Sequence, residues 1–524
     1  MVIRPDSHRS PIYGDNVVST SQPLAAQAGL TILSRGGNAI DAAIATAITL
    51  TVVEPTMNGI GSDAFCIVWD GTQLHGLNAS GKYPKDWNYK DFAQNQAMPS
   101  VGWASISVPG AVSAWVELSR RFGCMDFEKL FEPAIHYATK GFLVSSIISD
   151  QWHQQLHRFD QFKEFQRIFT ARGKAPQPGD RFYLPDHGDS LRQIASTHGE
   201  SFYRGELANR MVEDSKKNHG RLSLADLHEH SSHWVDPISI KHLGLELHEM
   251  PPSGQGIATL IALGILNQFE GCTTQSSQLA QLHIEIEAMK LALHEVYSEV
   301  SDPMHMHKTV DELLSDELHS ALAATICANK TLKLELHQPI TSDTVYLTTA
   351  DANGMMVSFI QSNYMGFGSG VVVPNTGISL QNRAAGFSTQ ANHPNCVDGN
   401  KFPFHTIIPG FITSDGQPVS SFGVMGGDMQ AQGHLQLFRS LAKQSINPQS
   451  IVNAPRWKLN KDGTLLVEET FGAEIVNGLE SLGHKIRKIP YGTYDFGAAQ
   501  IITKGTHGYA AGSEPRRDGQ AVTF

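Results

Sequence analysis

Asp343-Thr344-Val345-Tyr346-Leu347-Thr348-Thr349-Ala350 is the stretch of this 524-residue chain that decides its fold. After Asp343 the stretch is rich in β-branched and aromatic residues, which favour a strand. Met355-Met356-Val357-Ser358-Phe359-Ile360 follows as a second short strand, and Asn353-Gly354 between the two is a hairpin-turn signal. The sequence therefore predicts two paired strands directly after the Asp343–Thr344 peptide bond.

Thr344, at the start of the first strand, has the chemistry that a self-cleaving N-terminal-nucleophile (Ntn) hydrolase needs. Taken alone, a threonine at this place is most often an ordinary strand residue. If the Asp343–Thr344 bond breaks, however, the freed α-amino group has an ordinary pKa of about 7.7–8 and can act as the base for the hydroxyl of the same residue. The oxyanion that forms on the substrate needs backbone N–H donors, and Gly426-Gly427 can present them because no Cβ stands in the way. On this interpretation the chain is a precursor.

The composition is that of a globular protein, since hydrophobic residues make up 41% of the chain and charged residues 17%. The net charge of −11 and the lack of a long lysine or arginine run argue against nucleic acid or an anionic membrane as a partner. The longest apolar stretch, Ala39–Val53, contains Asp41 and is shorter than the ~20 residues that span a bilayer.

The cysteines are scattered and contain no CxxC pair. They are Cys66, Cys124, Cys272, Cys327 and Cys396. This spacing predicts neither a disulfide framework nor a zinc ribbon, and it fits a reduced compartment. The first ten residues contain no apolar core of a signal peptide. We therefore expect a cytoplasmic protein.

Histidine is plentiful, with 24 residues, but its patterns do not predict a metal site. The run His228-Glu229-His230-Ser231-Ser232-His233 departs from the HExxH zinc motif because position 232 is serine. His305 and His307 alternate without a nearby carboxylate cage. The run Gly366-Phe367-Gly368-Ser369-Gly370 resembles a phosphate loop only loosely, since no helix pattern follows it. We expect neither a metal nor an organic cofactor.

Helical patterns dominate the chain before Thr344, and strand patterns dominate it afterwards. The main predicted helices cover residues 39–53, which Asn38 caps, 111–122 and 257–269, with an amphipathic helix over 276–301. No low-complexity linker divides the chain. The pattern predicts a layered α/β protein in which helices cover the sheets.

A set of motifs extends along nearly the whole chain, from about Asn16 to Arg517. The motifs are Gln22-Pro23-Leu24-Ala25, Arg35-Gly36-Gly37-Asn38-Ala39-Ile40-Asp41-Ala42-Ala43, Val52-Val53-Glu54-Pro55, Val108-Pro109-Gly110, Pro133-Ala134-Ile135, Pro251-Pro252-Ser253-Gly254-Gln255-Gly256, Phe422-Gly423-Val424-Met425-Gly426-Gly427 and Glu514-Pro515-Arg516-Arg517-Asp518-Gly519. Together they are similar to the γ-glutamyltransferase family, in its shorter, signal-less bacterial branch, and the combination is very specific.

This resemblance implies an αββα four-layer sandwich of the Ntn-hydrolase type and autocleavage before Thr344. The products would be a helix-rich large subunit, 1–343, and a strand-rich small subunit, 344–524, which together form one αββα unit. A homodimer of such heterodimers is one assembly compatible with the sequence. Thr344 matches the family's catalytic threonine, and Ser362 matches a second hydroxyl residue near the nucleophile's amine. Gly426 and Gly427 match the paired glycines of the oxyanion hole.

The departures from the family fall where its members hold the γ-glutamyl group. Ser80 stands where the family has an arginine for the α-carboxylate. Arg383 and Gly386 stand where the family grips the α-amino group with an acidic or amide side chain and an aspartate. His405-Thr406 replaces a Ser-Ser pair that also contacts the glutamyl group.

An arginine at the place of the amine-binding residues inverts the local charge and would repel an α-ammonium group. We therefore expect the catalytic machinery to be kept and the acyl pocket to be altered. Arg383, together with Lys82, could pair with a carboxylate on a different acyl group, as in glutaryl-type acylases. Asp428 could still bind an amine, which keeps glutathione among the candidate substrates.

The leading hypothesis is an Ntn amidohydrolase or acyltransferase. Thr344 would attack the amide of a small-molecule acyl donor such as a γ-glutamyl compound, and water or an amine would resolve the acyl-enzyme. A glutaryl-type acylase is one alternative. An uncleaved, non-catalytic scaffold is another, although the retained Thr344, Ser362 and Gly426-Gly427 argue against it. An unrelated serine hydrolase is the weakest, because no G-x-S-x-G elbow is evident.

Overall fold

The computed structural model describes residues 9–270, 277–334, 336, 343–443 and 447–524, so Cys272 and the first residue of the helix predicted over 276–301 lie outside the described residues. The strands are β1 (Ile12–Gly14), β2 (Val17–Thr20), β3 (Asp63–Trp69), β4 (Leu74–Ala79), β5 (Phe142–Leu143), β6 (Arg181–Phe182), β7 (His233–Val235), β8 (Ile238–His242), β9 (Leu245–Glu249), β10 (Asp343–Ala350), β11 (Met356–Tyr364), β12 (Gly410–Ser414), β13 (Gln417–Met425), β14 (Trp457–Leu459), β15 (Leu465–Glu468), β16 (Ile486–Ile489), β17 (Ala498–Gly505), β18 (Gly508–Ser513) and β19 (Gln520–Thr523). The α-helices are α1 (Pro23–Ser34), α2 (Ala39–Val53), α3 (Ala111–Phe122), α4 (Glu132–Lys140), α5 (Ser146–Gln155), α6 (Lys163–Phe169), α7 (Pro185–Ser196), α8 (Glu200–Tyr203), α9 (Glu206–Lys217), α10 (Leu224–His228), α11 (Ile257–Asn267), α12 (Gln278–Glu299), α13 (Val310–Leu313), α14 (Asp316–Ala323), α15 (Met429–Lys443), α16 (Pro448–Asn453) and α17 (Ala473–Ser481).

Two seven-stranded antiparallel sheets form the centre of the molecule. The first, which we call the Thr344 sheet, has the strand order β19-β2-β10-β11-β3-β4-β7. The second, which we call the Gly426 sheet because β13 leads into that residue, has the order β1-β18-β17-β13-β12-β9-β8. Each sheet contains strands from both sides of the Asp343–Thr344 bond, so neither half of the chain builds a central sheet alone.

Successive side chains along a strand point to opposite faces of the sheet, so the two faces of the Thr344 sheet lie in different cores. On β3, Ala64, Cys66 and Val68 pack against the helices that precede Thr344. Phe65, Ile67 and Trp69 point the other way and pack between the two sheets. The outer face of the Gly426 sheet packs against α11, α12 and α15 in a third core. The order of layers is helix, sheet, sheet, helix, which is the predicted αββα sandwich.

The helix α2 forms where the sequence predicts it and is completely buried. Asn38 accepts a hydrogen bond from the backbone N–H of Asp41 at 3.0 Å, and Asp41 accepts one from the backbone N–H of Asn38 at 3.1 Å. This reciprocal capping satisfies two N–H groups at the start of the helix. The helix lies against β10 and β11, beneath the strand that begins at Asp343.

The helix α12 confirms the predicted helix over 276–301 but corrects its amphipathic character. His283, Glu285, Glu287 and Lys290 are buried together with its apolar residues. Lys290 donates to Glu287 Oε1 at 2.7 Å, so its polar side chains pair inside the protein instead of facing water. Among the described residues, no helix combines the length and apolar character that crossing a bilayer requires.

Candidate active site

Thr344 lies on β10 opposite an irregularity in the neighbouring strand. Asp343 pairs with Tyr364, and Val345 pairs with Gln361, so Ser362 and the residue after it both face Thr344. Such a bulge bends the strand and redirects side chains. The Thr344 side chain is fully buried, and its Oγ1 donates a hydrogen bond to Ser362 Oγ at 3.2 Å. The structure thus brings together the two hydroxyl residues that the sequence predicts.

Gly426 and Gly427 form the turn between β13 and α15. Their φ angles of +125° and +62° lie in the region that favours glycine. A Cβ on Gly426 would come within 2.8 Å of the Gly497 Cα, so the turn has no room for a side chain there. The backbone N–H of Met429 donates to the Gly426 carbonyl at 3.1 Å as the helix begins. A helix N-terminus favours negative charge, which suits an oxyanion site.

Gln430, in the first turn of α15, connects this turn to Thr344. Its Nε2 donates to Thr344 Oγ1 at 3.4 Å, and its Oε1 accepts from the backbone N–H of Ile408 at 3.0 Å. The side chain is fully buried. The sequence analysis missed this residue, and its position three residues after the glycine pair was the available signal.

Arg383 is a buried cation close to Asp63, the residue that pairs with Ser362 across β3 and β11. Its Nη1 donates to Thr406 Oγ1 at 3.2 Å, its Nε lies 3.8 Å from Asp63 Oδ2, and its guanidinium lies 4.5 Å from the centre of the Tyr364 ring. In the described part of the chain, Arg383 Nε and Nη2 have no hydrogen-bond partner. Burial lowers the pKa of Arg383 to about 10, against the attraction of Asp63, so the group is a cation at neutral pH.

Asp63 is the charge that faces Arg383, and sequence reasoning missed it. It opens β3 in register with Ser362 on β11. Its Oδ1 accepts from the backbone N–H of Gly110 at 3.2 Å, and its Oδ2 lies 3.2 Å from His405 Nε2. Burial and the nearby Arg383 lower the pKa of His405. A single acid opening an otherwise apolar buried strand was the signal that could have identified Asp63.

The structure does not bring the other predicted binding residues to Arg383. Ser80 is buried, and its Oγ donates to Asn78 Oδ1 at 2.7 Å. Lys82 lies over the Phe402 ring at 5.2 Å and lines a cavity of about 180 Å³ with Lys85. Lys82 and Arg383 thus have different neighbours in the structure, and the expectation that the two cations together bind one substrate carboxylate stays a prediction.

Asp428, predicted to bind a substrate amine, has a cationic partner within the protein. Its Oδ1 lies 2.8 Å from Lys458 Nζ, and both side chains are buried. This carboxylate already has a cationic partner within the protein, so it is not a vacant partner for a substrate amine. The prediction that Asp428 binds an amine is therefore not supported by its contacts.

A cavity of about 930 Å³ adjoins the site, and Gly386, Tyr297, Phe404 and Lys461 are among its lining residues. A Cβ on Gly386 would lie 3.2 Å from the Phe404 carbonyl oxygen and 3.8 Å from the Tyr364 hydroxyl. The wall of the cavity at Gly386 therefore lies close to the Tyr364 hydroxyl. It is large enough for a drug-sized group.

One cluster with metal-type ligands is found among the described residues. It consists of His283, Glu287 and His484. His283 Nδ1 lies 2.8 Å from His484 Nε2, and Glu287 Oε1 accepts from both Lys290 and Thr331 at 2.7 Å. The lysine ammonium supplies the positive charge at this carboxylate, and burial lowers the pKa of His484 to about 4. The cluster acts as an internal hydrogen-bond network.

Comparison with known proteins identifies the family. The model of the family described as gamma-glutamyltranspeptidase matches residues 25–524. The chain belongs to the gamma-glutamyltranspeptidase family. The resemblance inferred from the motifs is confirmed, and the chain is an enzyme of the hydrolase and acyltransferase class that this family comprises.

Relatives within the gamma-glutamyltranspeptidase family match this chain over its full length. The glutathione hydrolase-like YwrD proenzyme of Bacillus subtilis is 33% identical over 98% of this chain and 99% of its own. The oxamate amidohydrolase proenzyme of Klebsiella pneumoniae is 32% identical over 99% of this chain and 100% of its own. The solved cephalosporin acylase from Bacillus halodurans has a TM-score of 0.94 and 45% identity, covering 99% of this chain and 97% of that one. This likeness confirms the Ntn-hydrolase fold.

Proposed function

We propose that the chain is a self-processing amidase or acyltransferase whose acyl donor carries a carboxylate that Arg383 binds. Thr344 is the nucleophile, Ser362 positions its hydroxyl, and the Gly426-Gly427 turn stabilises the oxyanion. The observation that carries the substrate class is the buried Arg383 guanidinium, because two of its nitrogens lack a hydrogen-bond partner among the described residues. Such a cation is costly to bury unless a ligand completes its hydrogen bonds.

In the proposed mechanism, Thr344 Oγ1 attacks the Asp343–Thr344 peptide bond during maturation and the substrate amide during turnover. Attack of Thr344 Oγ1 on the carbonyl carbon of Asp343 forms a C–O bond and breaks the C–N bond. The released nitrogen takes up the proton that the hydroxyl loses. Water then hydrolyses the ester, which leaves a carboxylate on Asp343 and a free α-amine and hydroxyl on Thr344. The fragments would be the subunits 1–343 and 344–524.

Turnover then follows from the free amine. The α-amine of Thr344 accepts the hydroxyl proton as Oγ1 attacks the substrate amide, and this proton passes to the departing amine. The acyl group stays on Oγ1 as an ester. Water or a second amine attacks the ester carbon and restores the hydroxyl. The cavity of about 930 Å³ beside Tyr364 has room for the leaving amine portion.

Asp63 and Asp428 already have cationic partners within the protein, and this favours an acyl group without an ammonium. Asp63 Oδ2 already lies 3.2 Å from His405 and 3.8 Å from Arg383, and Asp428 is paired with Lys458 at 2.8 Å. A γ-glutamyl group would place its ammonium near the Arg383 cation. The names of two relatives support carboxylate-bearing or non-glutamyl substrates, since oxamate is itself an amide with a carboxylate and the third relative is named a cephalosporin acylase.

Hydrolysis of a γ-glutamyl amide is the second candidate. The name of the Bacillus subtilis relative, a glutathione hydrolase-like proenzyme, supports it. The γ-glutamyl group also carries a carboxylate that Arg383 could bind. The two candidates differ only in whether the site accepts the ammonium.

Three anilides with the same five-carbon acyl chain test the proposal. Glutaryl p-nitroanilide carries a terminal carboxylate, γ-glutamyl p-nitroanilide adds an ammonium, and valeryl p-nitroanilide has neither. We expect kcat/KM to be highest for the glutaryl compound. In Arg383→Met, the preference for glutaryl over valeryl should fall by roughly 100-fold, as expected for a lost buried charge pair.

Arg383→Lys is the matched control, because it keeps the charge and should retain part of the glutaryl preference. Turnover of the γ-glutamyl anilide as efficient as that of the glutaryl anilide would contradict the altered acyl pocket. An unchanged glutaryl-to-valeryl ratio in Arg383→Met would contradict the role of Arg383.

A further inference from the structure

We infer that Gln430 is a catalytic residue that donates a hydrogen bond to the nucleophilic oxygen of Thr344. This inference rests on the proposed function, because it takes Thr344 Oγ1 as the reacting atom. The contact is the 3.4 Å approach of Gln430 Nε2 to Thr344 Oγ1. Catalytic hydrogen bonds are often long before substrate binds and shorten as the reaction proceeds.

The backbone fixes which end of the Gln430 amide faces Thr344. Its Oε1 accepts a hydrogen bond from the N–H of Ile408 at 3.0 Å. A backbone N–H can only donate, so the carbonyl oxygen of the amide must face Ile408, and the NH₂ group must face Thr344. The donor role of Gln430 towards Thr344 therefore follows from the N–H of Ile408, which can only donate a hydrogen bond.

The proton of the Thr344 hydroxyl has its own acceptor. Thr344 Oγ1 donates to Ser362 Oγ at 3.2 Å, and Ser362 Oγ also accepts from the backbone N–H of Tyr364 at 2.8 Å. With its proton directed to Ser362, Thr344 Oγ1 presents lone pairs to Gln430. One lone pair can accept the amide N–H while another attacks the carbonyl carbon.

This arrangement matters most when the oxygen carries negative charge. Oγ1 becomes more negative as its proton leaves during attack, and again when it departs from the ester during hydrolysis. A neutral N–H donor held in a buried site stabilises that charge without adding a competing proton acceptor. Gln430 would thus assist both maturation and turnover.

Gln430 is held rigidly in place. The side chain is fully buried, and its backbone N–H donates to the Gly427 carbonyl at 3.1 Å in the first turn of α15. Gln255 Nε2 donates to the same carbonyl at 2.8 Å. The helix turn that carries the glycine pair therefore also carries the donor to the nucleophile.

The test compares Gln430→Glu with Gln432→Glu. A glutamate at 430 keeps the side-chain size and the acceptor for Ile408, but its ionised form has no donor for Thr344. Gln432 is a matched control because it is also buried on α15 and accepts from the backbone N–H of Leu459 at 2.7 Å, without contacting Thr344. The rate of cleavage at Thr344 is followed by intact mass, which needs no acyl substrate, between pH 5 and 9.

We expect Gln430→Glu to mature roughly 10- to 100-fold more slowly than wild type at pH 8, the range for losing a hydrogen bond to a charged group. The deficit should shrink as pH falls, because a protonated glutamate regains an O–H donor. Gln432→Glu should show neither the slow rate nor the recovery. If Gln430→Glu does not fold, Gln430→Met decides: slow maturation with an unchanged thermal midpoint supports the donor role.

A wild-type rate in Gln430→Glu or Gln430→Met would overturn the inference while leaving the proposed function intact. A deficit in Gln430→Glu equal to that in Gln432→Glu, without recovery at low pH, would overturn it as well. A wild-type chain that stays uncleaved would overturn the proposed function, and the inference with it.

Discussion

At the scale of single residues, Arg383 is the group whose burial most needs a physical reason. A fully buried guanidinium with one hydrogen bond to Thr406, and with Asp63 at 3.8 Å, has lost its hydration without recovering all its hydrogen bonds. An isolated buried charge costs several kcal/mol. On the proposed function, a substrate carboxylate completes the pairing and offsets this cost. The proposed role of this charge is therefore recognition of the substrate.

The buried His187 predicts that the folded protein loses stability at acidic pH. It is buried 2.9 Å from Thr51 on α2, and burial lowers its pKa from 6.5 to about 4. Because the folded protein keeps the imidazole neutral, the stabilisation is complete above pH 6.5 and is lost as pH falls towards 4. At pH 5 the loss is about 2 kcal/mol. Thermal unfolding at pH 7.5 and pH 5 measures it.

His187→Gln is the control for this prediction, since its side chain does not titrate. Its midpoint should fall less between pH 7.5 and pH 5 than the wild-type midpoint. The same decrease in both proteins would show that His187 is not responsible.

The residues of the site differ in how far sequence could predict them. Thr344 and Ser362 are predicted because they occupy the motif of a family whose chemistry requires them. Asp63 and Gln430 are not, because only the pairing of β3 with β11 and the start of α15 bring them within contact of the site. The binding role expected for Lys82 stays a prediction, because the contact that its ammonium makes in the structure is with the Phe402 ring.

At the scale of elements, the turn between β13 and α15 carries the proposed oxyanion site. Gly426 has a φ of +125° and lies against the backbone of Gly497, so both its conformation and its space require glycine. The carbonyls of this turn accept the first N–H groups of α15. The turn therefore sets where the helix begins and where its N-terminal N–H groups point.

Gly426→Ala should reduce kcat by about 100- to 1,000-fold, the range for loss of an oxyanion-hole donor, and should lower stability through backbone strain of about 1–3 kcal/mol. Gly416→Ala, in the β12–β13 turn, is the matched control. Its φ is +73°, and nothing lies within 4 Å of an added Cβ. It should lose stability and keep kcat. Equal effects on kcat in the two variants would contradict the role of the Gly426 turn.

At the scale of the whole molecule, each central sheet combines strands from both sides of the Asp343–Thr344 bond. Cleavage there would leave both sheets with their hydrogen-bonded ladders.

The bounds of α2 are predictable because Asn38 and Asp41 form a local cap. The order of the strands is not predictable, because β2 and β10 pair although more than 300 residues separate them in the sequence, and no local pattern specifies that contact. The buried polar side of α12 is missed for the same reason, because its partners come from distant segments.

Self-processing at Thr344 is tested most directly by the intact mass of purified wild-type protein and of Thr344→Ala, with samples taken over time and measured under denaturing conditions. We predict that the wild type separates into two fragments, 1–343 and 344–524, the second beginning with Thr344, while Thr344→Ala stays a single chain of full mass. A wild-type chain that remains uncleaved, or cleavage at this bond in Thr344→Ala, would contradict self-processing by Thr344.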